Sequence, residues 1–295
     1  MLAIFKMRYI AFFYRIFAPK TVRLFIFLLC SCLMGNLCTA QTVSVGALLG
    51  MSNYSGDLMP SYWEMSEIRP VLGINATLGI NRYLSVRATL VYAQVAGSDE
   101  NATNPFTRLR NLHFRSPITE GTVQIVVDFL GNHRRLIPYL YGGIGVFRFS
   151  PHAQYNGEWV ALQPLGTEGQ GLDMQHPRLY RLWATTLPVG GGLRYAINER
   201  WQVGLEAGYR LTTTDYLDDV STDYYDNNLL RELRGDMTAD LADRSDEYIA
   251  DTPPFTATAE RGNPRSKDGY LWLGFTAQYQ ISQSQRGEKY KCFSF

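Results

Sequence analysis

The sequence predicts an all-β protein, an eight-stranded antiparallel transmembrane β-barrel with long loops at one end. Three observations carry this prediction. Apolar residues alternate with small or polar ones at strict period two in many segments. Charges fall on the opposite face of those same segments. The connections alternate between tight and long.

The pattern is clearest over residues 181–213, which read as a β-hairpin. In its first arm Trp183, Leu187, Val189, Leu193, Tyr195 and Ile197 share one face, with Ala184, Thr186, Gly190, Gly192 and Arg194 on the other. The second arm places Trp201, Val203, Leu205, Ala207, Tyr209 and Leu211 against Gln202, Gly204, Glu206, Gly208, Arg210 and Thr212. The turn Asn198-Glu199-Arg200 is very short. Glu206 and Arg210 cannot face hydrocarbon, so they point inward and the apolar row faces lipid. Trp201 and Tyr209 are separated by roughly 27 Å along the strand. A tilt of about 40° reduces that to ~21 Å, close to the apolar band of a membrane barrel with its aromatic girdles.

Residues 1–40 read as a secretory signal. Lys6, Arg8, Arg15, Lys20 and Arg23 are positive, no acidic residue precedes Gln41, and the apolar run Leu24 to Met34 is too short to span a bilayer. Small residues at Thr39 and Ala40 suit cleavage before Gln41, and either Met1 or Met7 serves as the start. Cleavage would remove three of the four cysteines, leaving Cys292, and would lower the 28 basic residues to 23 against 27 acidic ones. A secreted chain with no disulfide and no apolar segment of spanning length points to a closed barrel.

The remaining strands follow in order at 43–51, 71–80, 83–96, 117–129, 136–149 and 269–281. Outward rows include Leu72, Ile74 and Leu78, then Val86, Leu90 and Tyr92, then Val123, Ile125 and Val127, then Leu271, Leu273 and Phe275. The segment 136–149 is apolar on both faces, so its sides are not assigned. The predicted inward charges are Arg87, Glu120, Asp128, Arg194, Glu206 and Arg210, three of each sign. Such a set suits a small lumen closed by paired side chains, since eight strands leave just enough interior for side chains. The soluble alternative, a secreted β-sandwich or lipocalin-like barrel, would bury the aliphatic face and expose the polar one.

Predicted long connections are 52–70, 97–116, 150–180 and 214–268; those at 81–82, 131–134 and 198–200 are tight. Barrels of this kind keep short turns periplasmic and long loops extracellular. The domain reading is therefore signal 1–40, barrel 41–281 in the outer membrane with periplasmic termini, and a periplasmic tail 282–295. That tail carries Arg286, Lys289, Lys291 and Cys292.

Signals for chemistry are few. The histidines His113, His133, His152 and His176 show no metal-ligand spacing, and no cofactor or nucleic-acid motif occurs. A lipid hydrolase would need a serine–histidine pair, but three residues of strand between His113 and Ser116 put them on opposite faces. Gly190-Gly191-Gly192 lies mid-strand with no helix after it. It reads as a bend or as room for bulky lumen side chains, not as a phosphate loop. Residues 214–268 hold 14 acidic and 6 basic side chains. Asp215, Asp218, Asp219 and Asp223 are the calcium candidates within that stretch. The spacing is not that of an EF-hand, and a solvated loop is the plainer reading.

Four loop motifs resemble those of the PorG family of outer-membrane barrels, part of the type IX secretion system of certain Gram-negative bacteria. They are Asn53-Tyr54-Ser55-Gly56-Asp57-Leu58; Arg110-Asn111-Leu112-His113-Phe114-Arg115-Ser116; Thr167-Glu168-Gly169-Gln170-Gly171; and Thr214-Asp215-Tyr216-Leu217-Asp218-Asp219-Val220-Ser221. The resemblance implies a non-enzymatic barrel that docks to periplasmic ring proteins of the secretion machine; no catalytic residue is carried over from it, and no small-molecule substrate is evident in the sequence. The extension past Ile281 departs from barrels that end at an aromatic residue of the last strand. The second reading is an OmpA- or OmpW-like barrel, structural or a narrow solute channel, with the bilayer as its partner. An outer-membrane lipid hydrolase comes third.

Overall fold

The computed structural model describes residues 42–59, 65–100, 102–130, 134–172, 178–257 and 259–282. The predicted signal segment, the turn residues 131–133, His176 and the tail beyond Ser282 lie outside them. Eight long strands form the barrel wall. They are β1 (Thr42–Ser55), β2 (Arg69–Gly79), β3 (Leu84–Ser98), β4 (His113–Asp128), β5 (Leu136–Phe149), β8 (Trp183–Ala196), β9 (Trp201–Thr212) and β10 (Gly269–Ser282). Each pairs antiparallel with its neighbours. β1 joins β10 from Val43↔Ser282 to Ser55↔Gly269, and β3 joins β4 from Leu84↔Val127 to Ser98↔His113. The order β3-β2-β1-β10-β9-β8-β5-β4, closed by β3–β4, leaves no free edge in the wall.

The exterior is a belt of exposed aliphatic and aromatic side chains. Leu49, Ile74, Ile144, Trp183 and Phe275 are all 60–69% exposed. No water-soluble protein of this size leaves such a continuous apolar ring open to solvent; hydrocarbon is the medium that suits it. The belt resolves β5, whose two faces look alike in sequence. Leu136, Leu140, Ile144 and Val146 point out, while Ile137, Tyr139, Tyr141, Phe147 and Phe149 are buried inside.

Two of the tight turns use the same device. Asn81 Oδ1 accepts from the amides of Tyr83 and Leu84, and Asn198 Oδ1 accepts from those of Arg200 and Trp201. An asparagine bonding its own backbone two and three residues on is a compact Asx turn.

At the other end the strands outrun the predicted limits. β1 continues past Met51 because Ser52, Asn53 and Tyr54 are buried within the mouth. β4 starts at His113, not at 117, because Phe114 packs edge-on to Tyr54 with ring centroids 4.9 Å apart. The predicted loops 52–70 and 97–116 shorten to 56–68 and 99–112.

The loops carry structure of their own. After Asn104 a short helix, α1 (Pro105–Arg110), ends on the left-handed Asn111. The third loop contains a hairpin, β6 (His152–Tyr155) and β7 (Glu158–Ala161), which extends from β4 by the pair Arg115↔His152. Its turn, Asn156-Gly157, has φ of 50° and 87°, the positive values a two-residue hairpin requires. The acidic fourth loop folds into α2 (Asn227–Arg234), α3 (Asp236–Ala242) and α4 (Ser245–Tyr248).

Candidate functional site: a charge-paired lumen beneath a folded loop cap

The alternation that sends aliphatic residues outward sends the charged ones into a narrow lumen. There the six inward charges meet as three pairs from non-adjacent strands. Arg87 donates from both terminal nitrogens to Glu206 at 2.6 and 2.9 Å, and Tyr139 donates to the same carboxylate. Arg210 lies 3.3 Å from Glu120, which also accepts from Tyr270. Arg194 pairs with Asp128. All six side chains are at most 8% exposed.

Aromatic faces carry the guanidiniums. Arg87 lies 4.5 Å from the Tyr141 ring centroid, Arg194 4.5 Å from Tyr139 and Arg210 4.8 Å from Trp272. Guanidinium planes stack well on such rings. Glycines make the room. A Cβ on Gly208 would fall 1.9 Å from the Tyr141 hydroxyl oxygen, and one on Gly192 would fall 2.8 Å from that of Tyr139. At the turn end of the polar interior lies a small cavity of about 30 Å3, beside Asp128, Arg194 and Gln202.

At the loop end the four sequence motifs, far apart in the chain, converge on one buried polar cap. Tyr54 sits between two acids, its hydroxyl 2.7 Å from Asp218 Oδ2 and 2.6 Å from Asp268 Oδ1. The other oxygens of these acids accept from the Val220 and Leu217 amides. One hydroxyl has one proton to give, so the second acid must itself carry a proton. Burial is the main reason that both carboxyls are pushed well above the usual range.

Gly56 leaves the space these groups fill, since a Cβ there would meet the Tyr54 oxygen at 1.9 Å. Asp57 accepts from the Asn263 amide at 2.7 Å. Arg110 donates twice to Asp99 and also to the carbonyls of Asp57 and Arg261. Glu168 collects the Ser221 and Thr222 amides, the Thr222 hydroxyl and Arg261. Asp219, itself left-handed at φ 70°, accepts from Thr167 and Tyr180. Gly169, at φ 73°, lies against the Tyr225 ring where no side chain fits. Gln170 accepts from the Glu168 amide, Arg234 donates to the Gln170 carbonyl, and Gly171 is left-handed at φ 77°. Asn111 reaches the Arg244 carbonyl. Tyr216 stacks on Tyr180 with centroids 4.4 Å apart. Beneath these groups Leu58, Leu217 and Val220 pack onto Phe114, Phe147, Tyr270 and Trp272 at the barrel mouth.

The cap explains the acidic fourth loop differently from a calcium site. Asp215 bonds the Ser221 hydroxyl, Asp218 bonds Tyr54, Asp219 bonds Thr167 and Tyr180, and Asp223 is exposed, its backbone bridged to Glu260. Asp215, Asp218 and Asp219 are thus engaged by separate protein donors. Among the described residues no group of three or more His, Cys, Asp or Glu is placed to hold a metal. The cap's polarity was visible in composition. Its assembly from Arg110, Arg234, Arg244 and Arg261 was not, because each of these arginines also reaches at least one partner 53 to 151 positions away. Ser116 is buried and its hydroxyl accepts from the Ser150 amide, while His113 lies 3.4 Å from Arg244, so the two do not form a catalytic pair.

A closed antiparallel barrel with an apolar exterior and a charge-paired interior belongs to the class of outer-membrane-type β-barrels. Within that class the chain belongs to the family described as "Domain of unknown function (DUF6089)", whose model matches residues 22–241. No curated protein matches the sequence. Among solved structures, Neisserial surface protein A matches at TM-score 0.39 and 10% identity, covering 80% of this chain and 96% of that one. The outer membrane protein OprG from Pseudomonas aeruginosa matches at TM-score 0.39 and 8% identity, covering 82% and 97%. The outer membrane enzyme PagL matches at 0.33 and 14%, covering 80% and 98%.

Proposed function

We propose that the protein is a non-catalytic, structural barrel of the outer membrane, with its turns and both barrel ends of the chain in the periplasm and its loop cap outside. The observation that carries this reading is the lumen. Six charges in three buried pairs, braced by aromatic rings, occupy the narrow interior that eight strands enclose, which supports a barrel whose wall and cap are what the molecule offers. His113 and Ser116 are each engaged elsewhere, by Arg244 and by the Ser150 amide, which favours a structural role over hydrolysis.

A narrower reading places the barrel in a protein-secretion machine of the type IX kind, docked to a periplasmic ring. It rests on the PorG-like motifs, and the meeting of all four in one cap gives those residues a common physical role. Co-purification tests it. A tagged barrel extracted from its own membranes should bring down periplasmic ring lipoproteins if the secretion reading holds. A barrel recovered alone leaves the structural reading. For either, unboiled and boiled samples should differ in gel mobility and both should lack a helical circular dichroism spectrum. A helix-rich spectrum would end the barrel reading itself.

A further inference from the structure

We infer that a cleft on the outer wall between β5 and β8, lined by Arg148, Arg181 and Trp183, binds the phosphate of a phosphorylated glycolipid headgroup in the outer leaflet. The inference rests on the outward orientation of the loops proposed above. The outward row of β5 runs Leu136, Leu140, Ile144 and Val146, and Arg148 follows directly. From Leu136 to Val146 the strand covers ~34 Å, or about 26 Å along the membrane normal at a tilt near 40°. Arg148 therefore stands just past the hydrocarbon edge, at headgroup depth.

The register puts Trp183 directly across from it on β8 and Thr119 on β4. Trp183 is 63% exposed, and Arg148 and Arg181 are exposed too. These residues, with Gln163, Tyr180 and Leu182, line one open cleft of about 650 Å3. Its floor is fixed by the cap, because Tyr180 donates to Asp219 and stacks on Tyr216, and Gln163 donates to the Tyr180 carbonyl.

Two other arginines toward the loop end are already engaged. Arg69 pairs with Glu67 at 2.8 Å, and Arg115 lies 3.9 Å from the centroid of the Trp159 ring. Arg148 and Arg181 make no ion pair among the described residues. Two forked guanidiniums with no acid partner among the described residues, above a wall of Val146, Ile144 and Leu187, suit a phosphate carried on acyl chains. Phosphate oxygens match the bidentate fork, the chains lie along the exposed aliphatic row, and Trp183 takes the interface between them.

The test titrates the full-length barrel in zwitterionic detergent with bis-phosphorylated lipid A, counting bound lipid by native mass spectrometry and following tryptophan emission. The Arg148→Gln/Arg181→Gln variant should keep its heat-modifiable mobility and lose at least tenfold in affinity. The Arg134→Gln/Arg135→Gln variant at the turn end should bind as the parent does. Unchanged binding by the first variant overturns the site. So does equal binding of dephosphorylated lipid A by the parent, or full displacement by millimolar inorganic phosphate, which would make it a simple anion site. Orientation is read separately. Thr256→Cys in a Cys292→Ser background should react with an impermeant maleimide on intact cells. Binding without such labelling would turn the cleft to the other leaflet and overturn the outer-leaflet ligand.

Discussion

Replacing Glu206 with alanine tests the interior most directly. It leaves the Arg87 guanidinium, 4% exposed, without its carboxylate and Tyr139 without its acceptor. Removing one partner of a buried ion pair costs about 3–5 kcal/mol. Arg87 keeps Gln124 Oε1 at 2.7 Å and the Tyr141 ring at 4.5 Å, so the low end, ~3 kcal/mol, is expected. Gln202, on the same face one turn-ward step of four residues away, is half-buried beside the small turn-end cavity. Gln202→Ala should cost no more than about 0.5 kcal/mol. The gap corresponds to roughly two decades in the folded-to-unfolded ratio. Urea titration of the detergent-folded barrel, read by tryptophan emission and by the mobility of unboiled samples, measures both. The neutral pair Arg87→Gln/Glu206→Gln should recover most of the loss, because no unpaired charge remains. Equal midpoints for Glu206→Ala and Gln202→Ala would place these side chains in bulk water and refute the paired lumen.

Gly208→Ala should destabilise the barrel by about 1–3 kcal/mol by driving its Cβ into Tyr141, whereas the same change at Gly121, where a Cβ meets nothing within 4 Å, should cost far less; the same urea midpoints check both. In planar bilayers the protein should show no large, stable conductance steps, and such steps would demonstrate an open lumen. The cap should loosen as pH rises. Burial raises Asp215 and Asp219 to about 6, and Asp218 and Asp268 also go up, so the folded cap holds protons that the unfolded chain has released. For Asp215 and Asp219 that contribution is complete below pH ~4 and is lost as pH climbs through about 6. Hydrogen-exchange protection of loop amides relative to strand amides should therefore be greater at pH 5 than at pH 8, and the reverse order would contradict the buried-acid assignment.

Much of the wall was legible in the chain because a strand's side-chain period of two is a local property. Glu206 and Arg210 beside Leu205 and Leu211 already declare an inside and an outside, and the Asn81 and Asn198 turns declare which ends are tight. β5 was the exception. With Leu136, Ile137, Leu140, Tyr141, Val146 and Phe147 apolar on both sides, only contact with neighbours decides that Tyr139 and Tyr141 face Arg87, Arg194 and Arg210. The loop helices, the β6–β7 hairpin and the strand extensions were hidden for a related reason. Phe114 lengthens β4 because Tyr54 is waiting for it sixty positions earlier, and no window of sequence contains both.

The sequence by itself thus determined the medium on each face, the number of wall strands and the sign balance of the interior, since each follows from alternation within a short segment. Only the tertiary structure decided which arginine meets which acid, that the four loop motifs form one cap around Tyr54, Asp218 and Asp268, and that Arg148 and Arg181 share a cleft with Trp183. Those are facts of register and closure. Closing eight strands into a ring sets side chains from distant segments a few ångströms apart, and the energy of a buried pair depends on that distance rather than on any property of the residues read singly.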